Sequence, residues 1–246
     1  METTRLLDGY PVDAPRLTGP VLLDQRWEDL AFVHRPVAPA AVARFFPPGT
    51  RPDIDADGRT WVGYVPFRMA GAGFGRGRPV PFFGSFLETN VRLYSVDDAG
   101  RHGVVFRSLD TERLAVLPFA RGVFGTPYLW AAMDLTRSGD VLTYTTRRRF
   151  PGPPARSRLV LRVGSVVEPT DLEVWLTARW GLHSRLRGRT WWVPNEHDAW
   201  PLHAAEVLAL DDDLVAAAGV RPEGAALRAL WSPGVRTRFG LPVRVR

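Results

Sequence analysis

The run Phe86-Leu87-Glu88-Thr89-Asn90-Val91-Arg92-Leu93-Tyr94 sets a carboxyl, an amide and a guanidinium at every second position. Successive side chains of a strand point to opposite faces, so Phe86, Glu88, Asn90, Arg92 and Tyr94 share one face. Leu87, Thr89, Val91 and Leu93 share the other. Two readings follow. On an ordinary half-buried strand the polar face meets water. On a strand of a closed barrel it turns inward, and buried charges must then be paired and hydrogen-bonded. In the inward reading the row is a pocket floor. Glu88 is there a general acid or base with its pKa set by Arg92, or Arg92 holds a substrate carboxylate as a bidentate pair.

Other chemistry-bearing residues are weaker. His34 ends a strand and is either a base or a hydrogen-bonded scaffold residue. Asp110 closes the Phe106–Asp110 strand ahead of Thr111-Glu112, where it caps a turn or serves a site. The stretch Asn195-Glu196-His197-Asp198-x-Trp200-Pro201-Leu202-His203 gathers imidazoles and carboxylates, but its spacing fits no zinc pattern and Pro201 breaks any helix that would align the histidines. No metal is expected. Ser85 and Ser165 lack the Gly-x-Ser-x-Gly elbow of a hydrolase. The glycines of Gly71–Pro79 miss the dinucleotide fingerprint because Arg76 stands where a third glycine is needed, so they read as a mobile loop. No cofactor is expected.

Composition removes whole classes of chemistry. There is no cysteine, hence no disulfide, no thiolate ligand and no thiol nucleophile. All 32 basic residues are arginine, so no side-chain amine exists for a Schiff base. The net charge of +6 comes from arginines spread along the chain, not from a basic patch. Arg147-Arg148-Arg149 reads as a solvated strand edge. Nucleic acid is not an expected partner. No apolar run is long enough to span a membrane, and the first residues lack the apolar core of a secretory signal. A cytoplasmic protein of one domain over 1–246 is the expectation.

The elements that must position these residues are mostly strands: Asp29–His34, Thr60–Met69, Gly84–Tyr94, Gly103–Leu109, Tyr128–Leu135, Asp140–Arg149 and Arg158–Val166, separated by Pro-, Gly- and Asp-rich turns. Helical signals are few: Pro39–Phe46, a capping box at Thr170-x-x-Glu173, and Ala209–Ala218. Long helices do not alternate with the strands, which argues against a doubly wound sheet.

Several motifs in order carry a family resemblance. Trp27–His34, Asp57-Gly58-x-x-Trp61 through Phe67, Glu88–Tyr94, Gly103–Asp110, Ala120-Arg121, Thr126-Pro127-Tyr128, Pro201–Val207 and Ser232-Pro233-Gly234-Val235 resemble the YqjF-like proteins (domain of unknown function 2071). That family is similar to the acetoacetate decarboxylase superfamily. The resemblance implies a mainly β, β-rich α+β fold: a cone-shaped antiparallel β-barrel with a few short helices and a central cavity. It also implies that Glu88 is the counterpart of the decarboxylases' central glutamate. Their Arg-Glu…Phe-Gly-Tyr-Pro-Lys-Lys stretch corresponds to Arg121 through Tyr128. Tyr128 then stands where the Schiff-base lysine belongs. A phenol cannot form an imine, so the iminium route to decarboxylation is excluded.

The functional expectation is acid–base chemistry on a small carbonyl or carboxylate compound in the barrel. Glu88 and Tyr128 are the catalytic pair. Arg92, Arg121, Asn90, His34 and Asp110 bind substrate. The alternatives are a ligand-binding barrel without catalysis, or an assembly protein that forms a homo-oligomer through its rim or a tryptophan patch.

Overall fold

The computed structural model describes residues 6–7, 10–76, 79–81, 84–224 and 227–245. Strands dominate it. Numbered from the first strand of the main sheet, they are β1 (Val21–Val37), β2 (Thr50–Pro52), β3 (Thr60–Phe74), β4 (Phe86–Asp97), β5 (His102–Thr111), β6 (Tyr128–Ser138), β7 (Val141–Phe150), β8 (Arg156–Val166), β9 (Gly181–Leu186), β10 (Arg189–His197), β11 (His203–Asp212), β12 (Arg228–Gly240) and β13 (Val243–Arg244). The helices are short: α1 (Pro39–Val42), α2 (Val116–Phe124), α3 (Asp171–Thr177) and α4 (Leu214–Ala217).

The seven expected strands all form, most of them longer than expected. Four of the remaining strands, β9 to β12, carried no expectation. The β9–β10 hairpin turns on Arg187 and Gly188, both at positive φ, the signature of a type I′ turn. The expected helix Ala209–Ala218 is a strand through Asp212 and a helix only over Leu214–Ala217. The Asp212 carboxylate accepts from the Leu214 and Val215 amides and fixes the switch. α2 went unread because Pro118 and Gly122 lie in it. Pro118 sits in the first turn, where a helix has no use for its N–H, and Gly125 ends the helix in the left-handed region, φ 65°.

The pairings return on themselves twice. One circuit runs β4–β5–β6–β7–β8–β11–β12–β1–β3 and back to β4. The other leaves β5 through β9 and β10 to reach β12. Both share β12, β1, β3, β4 and β5. All pairings are antiparallel except β5 with β6 and β5 with β9. These departures from an all-antiparallel sheet follow from helices: α2 crosses over from β5 to β6, and α3 precedes β9.

This double circuit decides how β4 is buried. Val91 and Leu93 face an apolar core with Leu142, Leu159, Leu161 and Trp231, inside the first circuit. Phe86 and Tyr94 face the other way, into the second. A strand shared by two circuits has no solvent face.

The strands that carry the chamber wall break register midway. Before Asp29, which sits at φ 47°, the residues facing the second chamber are Leu23, Gln25 and Trp27. After it they are Leu30 and Phe32. The one-residue slip reverses which parity points inward. Opposite this slip lies Gly234 at φ 123°. A Cβ there would fall 1.8 Å from the Trp27 carbonyl oxygen. Only glycine fits, which gives Ser232-Pro233-Gly234-Val235 a physical reason.

Candidate functional site

A cavity of about 220 Å³ opens inside the second circuit. β1 supplies Leu23, Gln25 and Trp27, β4 supplies Phe86, Glu88 and Asn90, and β6 supplies Tyr128. α2 closes one side with Val116, Ala120 and Phe124, spaced four apart so that one helical face lines the space. The wall is largely apolar, with Met69, Phe106, Leu109 and Phe239 among its members.

Glu88 is the one acidic side chain among the described lining residues. It is 2% exposed. Tyr128 donates its hydroxyl proton to Glu88 Oε2 at 2.8 Å. Burial pushes the Glu88 carboxyl up to about 8; the Tyr128 hydrogen bond pulls it down, and the negative charge of Asp110 adds to the rise. Burial and the neighbouring Glu88 hold the Tyr128 phenol well above its ordinary value. At neutral pH both groups therefore keep their protons, and only Glu88 comes within reach of losing its own.

Asn90 lies one pleat from Glu88 on the same face and also lines the cavity. It is 4% exposed, and its Oδ1 has no hydrogen-bond partner.

Arg92 does not set the Glu88 charge. Its guanidinium turns to the C-terminal end of α3, donating to the Leu176 carbonyl at 3.2 Å and the Tyr94 hydroxyl at 3.3 Å, and it lies 5.5 Å from the ring centres of Phe32 and Tyr94. The last carbonyls of a helix lack intrahelical partners and favour cations. Here Arg179 Nε takes that of Trp175, Arg92 that of Leu176 and Trp200 Nε1 that of Thr177. Arg92 is thus occupied as a helix cap away from the cavity.

Arg121 is exposed on α2, and both Nε and Nη2 bond the backbone carbonyl of Tyr128, at 2.9 and 2.6 Å. It fixes the start of β6 and reaches no cavity wall. His34 is buried, with Nε2 2.6 Å from the Tyr94 hydroxyl. Burial, then the charges of Arg92 and Arg179, depress its pKa well below the usual imidazole range, so it is neutral. Asp110 is fully buried behind the sheet, paired with Arg148 at 2.7 and 2.8 Å. Arg148 is accordingly no part of a solvated edge, although Arg147 and Arg149 are exposed. Of the seven residues expected at one site, Glu88, Tyr128 and Asn90 line the cavity, and Arg92, Arg121, His34 and Asp110 do not.

Gln25 and Trp27 were not expected at the site. Only the parity reversal at Asp29 brings them to the same chamber as Phe32, and no local pattern announces it. Nor do the Asn195–His203 residues converge: Glu196 pairs with Arg238, and His197 Nδ1 bonds the Asp198 carbonyl. No cluster of three or more metal-ligating side chains exists among the described residues. None of the described helices is long and apolar enough to cross a membrane.

A mainly β fold of this topology, with its cavity beside α2, is acetoacetate-decarboxylase-like. The chain superposes on an acetoacetate decarboxylase from Legionella pneumophila subsp. pneumophila str. Philadelphia 1 with a TM-score of 0.64 at 14% identity, covering 100% of this chain and 92% of that one. The enduracididine biosynthesis enzyme MppR, complexed with pyruvate, gives 0.60 at 14% identity over 93% and 91% of the two chains. The acetoacetate decarboxylase-like enzyme from Sphingomonas wittichii RW1 gives 0.58 at 15% identity over 99% of each.

By sequence, the chain belongs to the DUF2071 family, "Uncharacterized conserved protein (COG2071)", which it matches over residues 24–236. The protein YqjF of Bacillus subtilis (strain 168) is 30% identical over 188 residues, 75% of this chain and 76% of that protein.

Proposed function

We propose that this chain is a small-molecule acid–base enzyme that moves a proton at the carbon next to a carbonyl group. The observation that carries the reading is the Glu88–Tyr128 pair on the wall of an apolar cavity. A carboxyl with a pKa of about 8 is a stronger base than an ordinary carboxylate, yet a useful fraction is ionised near neutral pH. Ionised Glu88 takes the α-hydrogen of a ketone. The electron pair of that C–H bond passes into the carbonyl, giving an enolate whose oxygen needs hydrogen-bond donors. Glu88 then returns a proton to the same or a neighbouring carbon. Tyr128 remains protonated throughout and holds the Glu88 carboxyl in place. No amine and no imine enter, in keeping with a chain that has no lysine. The whole described chain acts as one catalytic domain in this reading, and its place is the cytoplasm.

The test is hydrogen exchange at the α-carbon of 4-phenylbutan-2-one in deuterated water, followed by proton NMR. Wild type is expected to accelerate the exchange. Glu88→Gln is expected to lose that acceleration while still binding the ketone. A Glu88→Gln protein that exchanges as fast as wild type removes the acid–base reading and leaves a ligand-binding barrel.

A further inference from the structure

Two amides on the cavity wall have nothing to bond. The Asn90 side chain makes no hydrogen bond to any described residue and its Oδ1 is fully buried, and the side chain of Gln25, 8% exposed, makes none either. The Trp27 indole N–H, from another lining residue, is also unpartnered. Buried polar groups are nearly always paired, so an unpaired set around one cavity asks for a missing partner. Each group is neutral. An amide presents either a donor or an acceptor, depending on which way it is turned.

The charged groups around the site are otherwise engaged. Arg92 caps α3, Arg121 clamps the Tyr128 carbonyl and Arg148 is paired with Asp110. None of them lines the cavity, and no arginine does among the described residues. A ligand carboxylate would enter an apolar chamber beside Glu88 with no cation among the described residues to receive it, and an unpaired buried charge is strongly disfavoured. A neutral carbonyl meets two free amides.

We infer that the cavity is selective for uncharged, largely apolar carbonyl compounds over keto acids, with the Gln25 and Asn90 amides as the residues that receive the polar end. This inference rests on the cavity being the substrate site of the proposed reaction. It separates this chain from any task in which a substrate carboxylate is held by arginine.

The test is isothermal titration at pH 7 with a matched pair, 4-phenylbutan-2-one and 4-phenyl-2-oxobutanoate, which differ in a methyl against a carboxylate. The ketone is expected to bind at least about tenfold more tightly. Asn90→Leu and Gln25→Leu, of similar size, are each expected to weaken ketone binding by about fivefold to tenfold, with unchanged circular dichroism melting showing that they fold. The ligand comparison needs no variant and stands if either fails to fold. Equal or tighter binding of the keto acid overturns the proposal, as does the absence of ketone binding at millimolar concentration. Unaltered ketone affinity in both folded variants overturns the role of the amides. Loss of the acid–base reading is seen separately, in Glu88→Gln exchange rates, and leaves the ketone preference intact.

Discussion

Tyr128 and Glu88 come from strands β6 and β4, which are not paired with each other, and they meet across the cavity wall through a 2.8 Å hydrogen bond. β5 lies between their strands, and the α2 crossover sets β6 parallel to β5 so that Tyr128 starts beside Leu109. The phenol is the one group among the named causes at Glu88 that pulls its pKa down. Tyr128→Phe is therefore expected to raise the Glu88 pKa further above about 8 and to destabilise the protein by about 1 kcal/mol, the usual worth of a hydrogen bond. Urea unfolding and the midpoint of the exchange rate against pH are the measurements. An unmoved or lowered midpoint contradicts the assignment.

Glu88 makes stability depend on pH in a definite direction. Its pKa is raised in the folded protein, so the folded state holds the proton more tightly than the unfolded one. Below about 4.5 it exacts no penalty; the penalty grows as pH climbs to about 8 and is constant beyond. Gln cannot titrate. The stability of Glu88→Gln relative to wild type is expected to rise through this window by up to about 1.4 kcal/mol per pH unit. Denaturant melts at pH 5, 6.5 and 8 check it, and a pH-independent difference would rule it out.

Asp110 and Arg148 form a pair whose side chains are 0% and 2% exposed. Removing one partner strands the other charge. Asp110→Leu alone is expected to destabilise by about 3–5 kcal/mol, and Asp110→Leu with Arg148→Met by much less. Chemical denaturation of the single and double variants measures the coupling. Equal losses in both would mean that the pair acts only through packing.

Gly234→Ala places a methyl carbon 1.8 Å from the Trp27 carbonyl oxygen if nothing moves. The backbone at φ 123° is also one that alanine rarely adopts. The expected outcome is a protein that fails to accumulate in soluble form, or one with a melting temperature lowered by many degrees. A near-wild-type melt would show that the close β1–β12 contact at Gly234 relaxes freely.

The alternating run of β4 was legible from its residues alone, because strand periodicity is local. So were the capping box at Thr170, realised in full by Glu173, and the absence of any side-chain amine, which the composition shows directly. What the alternation could not say is where each polar side chain would spend its hydrogen bonds. Arg92 shares a face with Glu88, yet the open carbonyl at the end of α3 draws it away, and that carbonyl belongs to a residue 84 positions further on. Asp110 found its partner in Arg148 for the same reason: pairing of buried charge is decided by tertiary contact. Gln25 stayed hidden because a positive-φ residue reversed the parity of its strand, an event that hydrophobic patterning does not mark. α2 was obscured by Pro118, which reads as a breaker until its place in the first turn is known.

The most direct measurement is a carbon-13 NMR titration of the glutamate side-chain carboxyls, with Glu88→Gln to assign the signal. One carboxyl is expected to titrate near pH 8 and to disappear in the variant. A Glu88 carboxyl that titrates in the ordinary range near 4.5 would contradict it, since a group already ionised at neutral pH is neither held nor tuned by the cavity.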